Sequence, residues 1–135
     1  MSRESAAAHA RTSEHGSKQL HDLVVGIAAG DRSAFRVLYA SLAMHVWRDV
    51  NRTLPQPVDS QAVTRSTFVE VWHLARYHLA DGGTDTAAWI AAITAQKVKD
   101  RLGAGPARSD YDRHIYREFA AIVGTRRTAA ETPHA

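Results

Sequence analysis

Apolar residues recur along this chain at the three- and four-residue spacing of helix faces, with no useful stretch of the two-residue alternation that marks strands. Leu20, Leu23, Val24 and Ile27 open the pattern, and Gly30 interrupts it as a helix stop. Asp31 can cap a second helix, because its carboxylate can accept the free N–H groups of a first turn. Ala34, Leu38, Leu42 and Val46 keep the period there, and Phe35, Tyr39 and Trp47 widen the stripe. That helix is expected to run to about Thr53, where Pro55 and Pro57 punctuate a short loop.

Asp59 or Ser60 is the expected cap of a third helix, whose apolar positions are Val63, Phe68, Val71, Trp72 and Ala75. The segment ADGGTD at 80–85 ends it, and Thr84 or Asp85 can cap a fourth. Ala88, Trp89, Ala92, Ile93, Gln96 and Leu102 line one side of the fourth helix, and Gly103, Gly105 and Pro106 close it. Tyr111, Ile115, Phe119 and Ile122 mark a weaker fifth helix over 110–122. The predicted class is all-α: a compact bundle of about four helices plus one appended C-terminal helix. The predicted division is a disordered polar arm at 1–16, a helical domain at 17–104, and the appended helix with a flexible tail at 105–135.

Composition narrows the chemistry. The chain has 135 residues, 44% hydrophobic and 23% charged, which suits one globular domain. It has no cysteine, which excludes a disulfide scaffold, a thiolate nucleophile and a zinc site with sulfur ligands. No apolar run approaches the roughly 20 residues of a membrane span, and the start lacks the apolar stretch of a signal peptide. A soluble cytoplasmic protein without membrane contact is expected. The net charge of +3 is compatible with a nucleic-acid partner, but no segment carries a dense basic run, and 59–102 is balanced. There is no glycine-rich phosphate loop and no nucleophile–base spacing, so no enzyme, no catalytic residue and no cofactor is expected. Among the eight histidines, His73 and His78 stand five apart, and no His-Glu-x-x-His or carboxylate cluster accompanies them, so no metal site is expected.

Three blocks in order resemble the extracytoplasmic-function (ECF) sigma factors of the sigma-70 family. They are LVVGIAAGDRSAFRVLYASL at 23–42, with its Gly-Asp, Ala-Phe and Leu-Tyr, then TFVEVW at 67–72, then AWIAAITAQKVKDRL at 88–102. The resemblance covers roughly residues 20–102 and implies region 2 of such a factor. That region binds RNA polymerase core and reads and melts the promoter −10 element. A region 4, which reads the −35 element, does not fit in the residues after Leu102. The chain therefore resembles either a region-2-only protein or a fragment of a longer one.

The resemblance places polymerase contacts at Ala62, Arg65, Ser66 and Val69 on the outer face of the third helix. Where the family has Asp and Gln, this chain has Ala62 and Arg65, which removes an acceptor and adds a charge. DNA contacts would fall on Arg76, Tyr77 and His78, next to the loop that holds a flipped-out base, and on Gln96, Lys97, Lys99 and Arg101 of the fourth helix. Each group also has a plainer reading. The cations can simply sit at the negative end of a helix dipole. The loop can be an ordinary interhelical turn, where Asp81 and Asp85 would repel phosphate. Trp72 and Trp89 read as core residues that lock the third helix to the fourth, rather than as stacking platforms for bases. The fifth helix can fold back on the bundle or bind a partner helix.

Two functions follow. The leading one is a sigma-like transcription initiation factor acting on RNA polymerase core and −10 DNA, with −35 reading supplied by the rest of a longer chain or by a separate region 4 subunit. The rival is a degenerate sigma fold kept as a protein-interaction module, which binds an anti-sigma regulator or another partner without reading DNA.

Overall fold

The computed structural model describes residues 16–104 and 108–124. The expected arm, apart from Gly16, and the expected tail beyond Gly124 lie outside the described residues, as do residues 105–107. The described residues form five α-helices and no strand: α1 at 16–28, α2 at Arg32–Asn51, α3 at Pro57–Ala80, α4 at Thr86–Leu102 and α5 at Arg108–Val123. None of them is long and apolar enough to cross a membrane.

The junctions follow local chemistry. Gly30 takes φ +87°, a left-handed conformation that suits glycine, and lets the chain reverse after α1. Asp31 then caps α2: its Oδ1 accepts from the backbone N–H of Ser33 at 2.9 Å and of Ala34 at 3.2 Å. Asp85 caps α4 in the same way, accepting from Ala88 N–H at 3.1 Å. The expected cap of α3 is corrected. The helix begins earlier, at Pro57, with no side-chain cap, because a proline in the first turn has no N–H to satisfy. Asp59 and Ser60 lie inside that first turn and are buried.

α3 is the central element, packed against α2, α4 and α5. Phe35 and Leu38 of α2 and Phe68 of α3 are fully buried in the core, which Val24 and Ile27 of α1 and Ile90 of α4 extend. An aromatic cluster joins three helices. Phe35 meets Trp72 edge-on at 5.6 Å, Tyr39 meets Phe68 at 5.0 Å, and Phe119 of α5 reaches Tyr39 at 4.9 Å and Phe35 at 6.1 Å. Trp72 therefore ties α3 to α2. Trp89 does join α4 to α3, through His78.

Three threonines inside this core are satisfied within their own helices. Thr64, Thr67 and Thr94 each donate to the carbonyl four residues earlier, at 2.8, 2.9 and 2.9 Å. Ser60 donates instead to Asn51 Oδ1 at 3.0 Å, joining α3 to the end of α2.

Candidate binding faces

The four positions expected to face a polymerase, Ala62, Arg65, Ser66 and Val69, share one side of α3, as the helical period requires. That side is not an open outer face. Ala62, Ser66 and Val69 are buried and Arg65 is half-buried. The cover is α5, which folds back across α3. The hydroxyls of Ser66 and Tyr111 lie 2.9 Å apart, and the Arg65 guanidinium sits over the Tyr116 ring, 5.3 Å from its centre. A cavity of about 330 Å³ remains where α5 crosses α3 and α4, lined by Ala62, Ser66, Lys97, Arg101, Tyr111 and Asp112 among others.

The α4 residues expected to meet DNA divide sharply. The Arg101 side chain is only 8% exposed and lies between two carboxylates, 2.7 Å from Asp59 and 2.6 Å from Asp112. Burial opposes its charge, but the hydrogen bonds to Asp112 and Asp59 outweigh burial, and its pKa rises above the ordinary arginine value. Lys97 is also turned inward, 3.5 Å from Glu70 and 3.4 Å from the Tyr111 hydroxyl. Gln96 donates to Asp100 at 2.9 Å. Lys99 is exposed and makes no ion pair among the described residues. Sequence reasoning missed Asp59, Tyr111 and Asp112 as partners of this group. The available signal was the four-residue spacing of Lys97 and Arg101, which puts both cations on one face of α4.

At the far end of α3, Arg76 and Tyr77 are exposed, while His78 is half-buried. The His78 ring lies against Trp89, and its Nε2 is 3.4 Å from Thr86 Oγ1. The turn that follows uses Gly82 at φ +112° and Gly83 at φ +62°. A Cβ added at Gly83 would stand 3.1 Å from Leu79 Cδ2 and 3.2 Å from His21 Cε1, so glycine serves both the conformation and the close approach there. The hollow beside the turn has a volume of about 320 Å³ and is lined by His78, Asp81, Gly83, Asp85 and Trp89 among others. Among the described residues, no group of three or more His, Asp or Glu side chains converges so as to hold a metal ion.

Over 93 residues the chain is 31% identical to the ECF RNA polymerase sigma factor SigK of Mycobacterium ulcerans. The match takes in 69% of this chain and 49% of that protein, so the chain spans about half the length of the curated relative it matches. This similarity supports a relationship to the sigma-70 family. No family model matches the chain, and no solved structure matches it.

Proposed function

We propose that this chain is a sigma-like transcription initiation factor, not an enzyme, whose helical domain plays the part of region 2. The observation that carries the proposal is the 31% identity with an ECF RNA polymerase sigma factor. The all-α bundle, with the Gly-Asp turn, the Thr-Phe-x-x-Val-Trp stretch on α3 and the Trp at the start of α4, is compatible with it. In this reading, α3 engages RNA polymerase core through Ala62, Arg65, Ser66 and Val69. Promoter −10 DNA meets Arg76, Tyr77, His78, Gln96, Lys97, Lys99 and Arg101, with the exposed Arg76, Tyr77 and Lys99 making first contact. Reading of a −35 element belongs to a region 4 on another segment or a separate polypeptide, and the protein works in the cytoplasm.

The inward turn of Lys97 and Arg101 favours a second reading, the interaction module that binds a regulator or partner without reading DNA. Fluorescence anisotropy with single-stranded and duplex −10-like DNA separates the two. The first reading expects binding to the single strand in preference to duplex, because a base must leave the stack to be read. With Arg76 and Lys99 as the two proposed contacts that are exposed and make no ion pair among the described residues, log affinity should fall against log salt with a slope of about −1.4 to −1.8, from roughly 0.7–0.9 per phosphate contact. An Arg76→Ala, Lys99→Ala variant should lose the binding. Absence of binding to either DNA form at low salt would transfer the assignment to the second reading.

A further inference from the structure

α5 is held in two different ways along its length. Its C-terminal half is part of the core: Phe119 packs edge-on against Phe35 and Tyr39, and Ile122 is buried with them. Its N-terminal half is not. Ile115 is buried, yet it stands apart from the contiguous core, as do Ala62 and Val69 of α3. Here the attachments are polar, namely Tyr111 to Ser66 and Lys97, Asp112 to Arg101, and Arg108 to Asp59 at 3.6 Å. The cavity of about 330 Å³ lies in this same seam.

Lifting this half would strand no buried charge. Arg101 keeps Asp59 at 2.7 Å and Lys97 keeps Glu70 at 3.5 Å, while Asp112, Tyr111 and Ser66 pass to water. A buried pair is costly to break when one partner is left alone, and that does not happen here. The face uncovered would offer apolar Ala62 and Val69 beside the cations Lys97 and Arg101. What fits such a face is shown by α5 itself: a helix with a carboxylate and an apolar residue three positions apart, as Asp112 and Ile115 are.

We infer that the N-terminal half of α5 is a displaceable cover on a helix-docking face of α3 and α4, for which it competes with a partner helix of that same acidic and apolar pattern. The inference rests on the reading above that this face engages RNA polymerase core, and it adds that the face is masked until α5 yields.

The test uses the full chain with two substitutions in α5, Tyr111→Ala and Asp112→Lys, which turn the seam repulsive toward Arg101. Asp110→Lys, an exposed residue of the same turn, makes the same charge change away from the seam. Amide hydrogen exchange reports opening, and retention on core RNA polymerase reports docking. Residues 108–116 should exchange well before α3 in the wild type and faster still in the double variant, with α2 and α3 protection retained as proof of folding. Retention should rise at least tenfold over both wild type and Asp110→Lys. Exchange of 108–116 only together with α3, in wild type and double variant alike, would overturn the displaceable cover. Faster opening with unchanged retention would overturn the competition and locate the failure in the polymerase reading, not in the motion of α5.

Discussion

The imidazole of His78 lies flat on the indole of Trp89, with ring centres 4.0 Å apart and planes 4° from parallel. The contact joins the last turn of α3 to the first turn of α4 across the tight Gly82–Gly83 turn. The surroundings of the ring, more than the stacking itself, favour its neutral form. Burial, followed by the charge of His21, pulls the His78 pKa below its ordinary value, while Asp81 acts the other way. Above the ordinary histidine pKa of about 6.5 the ring is neutral in both folded and unfolded chains, and the contribution is complete. As pH falls through that value the unfolded chain takes up the proton first, so stability is lost until the folded ring also titrates. The melting temperature should therefore drop more steeply between about pH 7 and about pH 5 in the wild type than in His78→Phe, which keeps a ring against Trp89. Identical slopes in thermal scans would contradict this.

Phe35 is the hub of the aromatic cluster, fully buried and edge-on to both Trp72 and Phe119. Phe35→Ala should cost about 3–5 kcal/mol in urea unfolding, from lost transfer energy and the cavity left behind. Phe35→Leu, which fills more of the space, should cost clearly less.

Arg101 holds α3, α4 and α5 together through Asp59 and Asp112. Arg101→Met should destabilise by about 3 kcal/mol, because it leaves Asp59 buried with only the more distant Arg108. Asp112→Asn should cost less, since the Asp112 side chain is 26% exposed and Arg101 keeps its other partner. Chemical denaturation at neutral pH compares the two, and equal losses would show that Asp112 carries as much of the network as Arg101.

Gly26 permits the close crossing of α1 and α2. A Cβ placed there would lie 2.9 Å from the Cβ of Ala34, well inside normal contact. Gly26→Ala should cost about 1–3 kcal/mol through overpacking. Adding Ala34→Gly should recover part of that loss, and the recovery, measured as a double-mutant cycle, identifies the steric cause.

Much of this architecture was legible locally. The period of α1 to α4, the Gly30 stop and the Asp31 and Asp85 caps all follow from neighbours a few residues apart. Asp59 was misleading for the same reason. Its position suggested a cap, but its partner Arg101 stands 42 residues away, and local chemistry carries no sign of that. The masked face of α3 was also illegible. Ser66 and Arg65 read as solvent-facing until α5 supplies Tyr111 and Tyr116 to cover them. The hint was on the other helix: Tyr111, Ile115, Phe119 and Ile122 form a stripe that needed a surface, and the period alone could not say which one.

The threonines of α3 and α4 have a consequence for recognising relatives of this chain. With their hydroxyls returned to the preceding turn, Thr64, Thr67 and Thr94 show their neighbours little more than a methyl group. At such positions threonine and valine offer the packing around them nearly the same shape, though hydropathy scores them far apart, whereas serine or alanine would leave a cavity. Two chains can therefore share this interior while their aligned letters drift from polar to apolar, and identity alone will understate how much of the bundle they have in common.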